Sequence, residues 1–200
     1  MKIFRAALLA TALSLPLAAG AVYAATPADA LVIAQNIDDI VALDPAQAYE
    51  FSAGEINTNV YDRLVQYEAE DTSTLVGGIA ESWEADDANK SITFTIRDAK
   101  FASGNPVRAE DVLYSFKRVV TLNLTPAFIL TQLGWTVDNI DDMVTVDGNT
   151  VTVKWDGDFA SAFVLNVLAA RPASIVDEAL VSQHVEGEDW GNAWLNTNSA

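Results

Sequence analysis

The stretch at residues 92–116, ITFTIRDAKFASGNPVRAEDVLYSF, changes its periodicity within one short span. Ile92, Phe94 and Ile96 alternate with Thr93 and Thr95, the two-residue period of a strand with one buried face. Gly104 and Pro106 interrupt the pattern. From there Ala109, Val112, Leu113, Phe116, Val119 and Val120 recur at helical spacing, so a helix follows. Glu110 and Asp111 fall in its first turn. Lys117 and Arg118 fall in its expected last turn, where each charge complements the helix dipole by about 0.3–1 kcal/mol. The span therefore poses a question: do the charges around its loop act on a substrate, or do they hold a helix end?

Working outward, the same two periods recur. Residues 144–155 (VTVDGNTVTVKW) read as a β-hairpin, with Asp147-Gly148-Asn149 supplying the turn. Residues 30–34 (ALVIA) read as a short buried strand, and Asp44-Pro45 marks a turn. Ile56, Val60 and Leu64, widened by Tyr61 and Val65, predict an amphipathic helix from Glu55. Residues 159–170 predict a mostly apolar helix stopped by Pro172. Ser174, with Asp177 three residues on, resembles a capping box for a last helix through Val185. Helices and strands interleave, so the class is α/β or α+β with a mixed sheet.

The 200 residues are half apolar and 20% charged, a globular composition. Lys2 and Arg5 precede an apolar run at residues 6–22, and Val22-Tyr23-Ala24 offers small residues at cleavage positions. Residues 1–24 thus read as a secretory signal peptide. Removing Lys2 and Arg5 from 11 basic residues leaves 9 against 28 acids, a net charge of −19. Such a surface repels nucleic acid and anionic lipid. Cysteine is absent, which excludes disulfides, thiolate metal sites and cysteine nucleophiles, and a single histidine, His184, excludes a multi-histidine metal site within this chain.

Catalytic patterns are weak throughout. No glycine elbow surrounds a serine, and Gly77-Gly78 lacks the Lys-Ser/Thr of a phosphate loop. The spacing of Asp138, Asp141 and Asp142 fits no calcium loop. Paired carboxylates for glycoside hydrolysis could be chosen from 28 acids, but nothing singles out a pair. Trp190 and Trp194, four apart, read as one face packed on the core, or alternatively as a stacking platform.

Ala80-Glu81-Ser82-Trp83, Phe94-Thr95-Ile96-Arg97, Lys100-Phe101, Gly104, Pro106-Val107 and Ala109-Glu110-Asp111-Val112, with Ser115-Phe116, together resemble the signature of the family 5 extracellular solute-binding proteins. These are dipeptide and oligopeptide receptors of bacterial ABC importers. Asn59-Val60-Tyr61-Asp62-Arg63-Leu64-Val65 resembles the helix upstream of that signature. The chain departs from the pattern at Ala102-Ser103, where His-Asp is common, and at Arg108, where Thr is usual. Thr would cap the helix, and losing such a cap costs about 1 kcal/mol, so another cap such as Asn105 or a water is expected.

The resemblance implies an α/β, periplasmic-binding-protein-like bilobed fold with mixed sheets, of which only the N-terminal part is present. Residues 25–62 would open the main lobe, residues 63–176 would form a small accessory subdomain carrying the hairpin, and residues 177–200 would return toward the main lobe. The implied protein is a receptor in the periplasm, not an enzyme. It needs no cofactor, captures a peptide or other small solute as a monomer, and delivers it to an inner-membrane ABC permease with its ATPases. Tyr49, Glu50 and Phe51 match a segment whose backbone pairs with the ligand in peptide-binding relatives. Phe128 matches a position where some relatives present an aromatic. The acid that holds the ligand's amino group in such relatives lies beyond this chain. Nickel, a sugar or glutathione are rival solutes, and a secreted hydrolase is a rival class. Half a lobe alone is expected to fold marginally.

Overall fold

The computed structural model describes residues 26–200, so the signal segment read at residues 1–24 lies outside the described residues. Residues 26–35 belong to a unit of their own and carry only a turn at Ala28-Asp29. The strand expected at residues 30–34 is not formed: among the described residues no ladder partner pairs with it, and Leu31, Val32 and Ile33 are exposed.

The second unit, residues 36–200, is organised around a four-stranded sheet in the order β3-β4-β6-β5. Its strands are β3 (Ala80–Asp86), β4 (Ser91–Ile96), β5 (Val144–Asp147) and β6 (Thr150–Lys154), and every pairing is antiparallel. A two-stranded ribbon, β1 (Val65–Tyr67) with β2 (Leu75–Gly77), precedes it. The alternation in β4 decides which face is inward. Ile92, Phe94 and Ile96 are buried, while the Thr93 and Thr152 hydroxyls meet across the opposite face at 3.0 Å. In the hairpin, Asp147 pairs with Thr150 and Gly148 takes φ +56°, so the glycine occupies the one turn position that a side chain would strain.

Helix α2 (Ala109–Leu122) lays Val112, Phe116, Val119 and Val120 on the buried face of this sheet. Trp135 stacks on Phe116 at 5.4 Å and donates its indole N–H to the Lys154 carbonyl at 2.8 Å. Each fully buried side chain of this size contributes about 1.5–3 kcal/mol. The helix runs past Arg118 to Leu122, and Asn123 closes it with a left-handed φ of 45°. Lys117 and Arg118 are therefore not in the last turn, and they serve as tertiary partners instead of dipole partners. Lys117 pairs with Asp141, while Arg118 turns inward.

Other boundaries also move. Helix α1 spans Phe51–Val60 and stops before Tyr61, whose backbone is extended, so Val65 enters β1 and Leu64 lies in the connection just before it rather than continuing a helical stripe. The α1 face that is buried carries Ala53, Gly54 and Asn57, and Ile56 and Val60 face out. Short helices α3 (Phe128–Thr131) and α4 (Ile140–Met143) lead to the hairpin. Helix α5 covers Ser161–Leu168, followed by a 3-10 turn at Arg171–Ala173. Ser174 caps nothing: its hydroxyl donates to the Arg171 carbonyl at 2.7 Å. Asp177 is the N-cap of α6 (Glu178–Val181), which passes into a 3-10 turn at Ser182–His184, and α7 (Asn192–Leu195) follows.

Candidate functional site

The site is built on the segment that enters α1, and that segment is fixed by a buried ion pair. The Asp44 carboxylate faces the Arg118 guanidinium end-on, with Nη1 donating to Oδ1 at 2.7 Å and Nη2 donating to Oδ2. The other polar valences are filled too. Arg118 Nε donates to the Trp190 carbonyl at 2.7 Å, Asn192 Nδ2 to Asp44 Oδ2 at 2.6 Å, and the Ala46 N–H to Asp44 Oδ1 at 2.9 Å. Asn196 Oδ1 accepts from the N–H groups of Leu43 and Asp44, and its Nδ2 donates to Gln47 at 3.2 Å. This satisfied network ties residues 43–47, α2 and α7 to one another.

From that anchor the chain passes through Tyr49, Glu50 and Phe51. Glu50 sits at the N-cap of α1 with extended backbone, its carbonyl accepting from the Gly54 N–H at 2.9 Å and its carboxylate from the Tyr49 N–H at 3.2 Å. Tyr49 meets Phe128 edge to face, ring centroids 5.9 Å apart. Tyr49 is 46% exposed, Phe128 53% and Phe51 90%. Rings left this open next to one another leave apolar surface that a ligand or further polypeptide can cover. The structure thus brings Tyr49 and Phe128 together, and it sets Phe51 at the first position of α1.

The 3-10 turn at Arg171–Ala173 packs against both α1 and α3. The small residues of α1 allow this: a Cβ on Gly54 would come within 1.6 Å of Arg171 Nη1, so the guanidinium lies directly over the glycine backbone. The Ile175 N–H donates to the Asp62 carbonyl at 2.9 Å, which aligns the next segment with the end of α1. Near this junction Arg63 is 7% exposed, and among the described residues its Nε and Nη1 meet no acceptor, nor does the buried Asn57 Nδ2. Burial pushes the Arg63 pKa down, and the Arg171 charge adds to that effect while Asp62 opposes it. Among the described residues Arg171 makes no side-chain hydrogen bond or ion pair. Sequence reasoning passed over both arginines. The available signal was scarcity: in a chain this acidic, neither has an acid three or four residues away.

The acids of the opening stretch are structural. Asp111, almost fully buried, accepts from the Arg108 N–H at 2.8 Å and from the Glu178 N–H at 3.1 Å, and so closes the N-termini of both α2 and α6. The cap expected from Asn105 comes from Asp111 instead, because the N3 carboxylate reaches back where Arg108 has no acceptor to offer. Asn105 and Ser103 donate to Asp177 at 2.8 and 2.6 Å. His184 stacks on Trp194 at 4.3 Å, and Trp190 packs on Tyr114 at 5.7 Å. Trp190 has φ 52° and precedes α7, so the two tryptophans share no helical face and form no common platform.

Residues 74–200 match the model of the bacterial extracellular solute-binding proteins, family 5 Middle. The probable D,D-dipeptide-binding periplasmic protein DdpA of Escherichia coli (strain K12) is 34% identical over 179 residues, covering 88% of this chain and 33% of that protein. The solved Escherichia coli murein tripeptide binding protein MppA superposes with a TM-score of 0.61 at 31% identity, over 76% of this chain and 31% of that one. Listeria monocytogenes OppA bound to peptide has the same fold, with a TM-score of 0.60 at 21% identity, over 72% and 30% of the two chains. The solved neighbours are bilobed periplasmic binding proteins, and the chain spans about a third of the length of the relatives it matches.

Proposed function

The chain belongs to the bacterial extracellular solute-binding proteins of family 5, and from that premise we propose that it captures a peptide-like solute outside the cytoplasm and hands it, intact, to an ABC importer. Members of this family are binding proteins, and capture here makes and breaks no bond. Solute binding shifts an equilibrium between open and closed arrangements of two lobes, and the closed form docks on an inner-membrane permease served by ATPases. The protein acts as a monomer in the periplasm, delivered by the signal at residues 1–24.

The observation that carries this reading is the exposed Tyr49–Phe128 pair, held beside the entry to α1 by the buried Asp44–Arg118 anchor. Aromatic rings on a rigid base suit the side chains of an extended peptide, while the backbone at Tyr49, Glu50 and Phe51 offers pairing that reads no sequence. The domain division follows the same logic. Residues 25–62 supply the ligand-facing edge of the main lobe, residues 63–176 form an accessory subdomain around the sheet, and residues 177–200 lead back to the main lobe.

The test is import. Cells carrying the intact gene are expected to accumulate a labelled peptide mixture that cells lacking it do not, with the peptides entering unhydrolysed. Equal uptake by both strains would contradict the proposal.

A further inference from the structure

Helix α1 buries its small residues and leaves its branched apolar ones open. Ala53, Gly54 and Asn57 are buried, and the Arg171 guanidinium rests over Gly54. Ile56 is 36% exposed and Val60 50%. With about 3.6 residues per turn, Ile56 and Val60 share one flank, between the buried face and the polar side that carries Glu55 and Asn59. An apolar stripe that wide belongs to a helix covered on two sides, not to one with a single buried face. The flank forms part of a groove of about 240 Å³, lined also by Leu43, Tyr61, Thr197 and Ser199. No charged side chain lines it, in a chain with 28 acids.

We infer that this flank of α1 is an internal interface, covered by an uncharged, apolar face of the remaining polypeptide of the same gene product. The chain spans about a third of the length of the relatives it matches, so polypeptide is available to cover the groove without a separate partner. A second copy fits poorly, because each copy carries a large negative charge and the two repel. A peptide solute fits poorly as well, since its charged ends would meet no opposite charge in this groove. Val60 also lies about 13 Å along the helix from Phe51, at the end away from the Tyr49–Phe128 pair. Helix α1 is thus a shared wall, with the turn at Arg171–Ala173 on one side and the remainder of the protein on the other. The inference rests on family membership and does not depend on which solute is bound.

The experiment uses the protein made from its complete gene. Residues 1–200 contain no cysteine, so a thiol introduced there reports its own position against the parent background. Val60→Cys and, as a control at a 58% exposed site, Val137→Cys are treated with a maleimide and followed by mass spectrometry. Val60→Cys is expected to react at least about tenfold more slowly than Val137→Cys in the folded protein, and equally fast in urea. Ile56→Cys is expected to behave as Val60→Cys does, which keeps the test open if one variant fails to fold. Equal rates in the folded protein overturn the inference. Protection that appears only when Ala-Ala-Ala is added assigns the groove to solute and overturns it, while leaving the receptor reading standing. Protection that appears only as protein concentration rises assigns it to a second copy and also overturns it.

Discussion

Asp44 and Arg118, distant in sequence, form an ion pair in which both side chains are sealed from water, 0% and 2% exposed respectively. Arg118 therefore fastens the helix on the sheet to the segment that leads into the candidate site. Removing one partner strands the other as a buried charge, which costs about 3–5 kcal/mol. Arg118→Ala and Asp44→Ala are each expected to lower the melting temperature by on the order of 10 °C. The double variant is expected to lose clearly less than the sum, as thermal denaturation of all three variants would reveal. An additive double variant would contradict the pairing.

Asp177 gathers Ser103, Asn105 and the Leu180 N–H on one carboxylate. Asp177→Ala takes the acceptor from the Ser103 hydroxyl and the Asn105 amide, and it removes the side-chain cap of α6, whose Leu180 N–H keeps the Asp177 carbonyl at 3.2 Å, so urea denaturation is expected to report a loss of about 2–3 kcal/mol. Asp177→Asn, which retains one acceptor oxygen, is expected to lose less.

Tyr61 is buried beside Asp44, and its phenol is pushed up to about 12 from the ordinary value of 10, chiefly by burial and secondly by that neighbouring charge. The folded state thus holds the proton more tightly than the unfolded state. Its contribution is fully present below pH 10 and declines as pH rises through 10 toward 12, by up to about 2 kcal/mol. Between pH 10 and 12, Tyr61→Phe is expected to show a shallower fall in stability than the parent. Parallel curves would place Tyr61 elsewhere.

Gly54→Ala gains about 1 kcal/mol of helix propensity, but its Cβ collides with the Arg171 guanidinium. Because the colliding atoms are the end of a flexible side chain, stability is expected to change by less than about 1 kcal/mol while Arg171 is displaced. Urea denaturation checks this, and a loss well above about 1 kcal/mol would show that the guanidinium cannot move aside.

Phe128 leans on Tyr49 from a half-open position. Phe128→Ala is expected to cost at most about 1 kcal/mol of stability, the scale of one edge-to-face contact. Its larger effect is expected in calorimetric peptide affinity, down about tenfold.

The central strand, the hairpin and α2 were legible because each has one buried face, and a buried face imposes its period on the sequence. The Tyr49–Phe51 segment and Phe128 entered only through family resemblance, since open aromatic rings leave no periodic trace. Residues 30–34 misled because an apolar run names no partner. The stripe of Ile56, Val60 and Leu64 misled because Gly54 and Asn57, not the large side chains, form the buried face of α1. Asp44–Arg118 was invisible for a different reason: pairing across long separations depends on the finished fold, and charge type alone does not encode it.

The central claim is that this protein grips a solute and releases it unchanged. The most direct measurement heats the full gene product with and without a tripeptide pool, then recovers the peptides for mass spectrometry. A raised melting temperature with every peptide recovered at its original mass is the expected result, because a ligand that binds only the folded state stabilises it by mass action. Cleaved peptides, or a melting temperature indifferent to the pool, would contradict the claim.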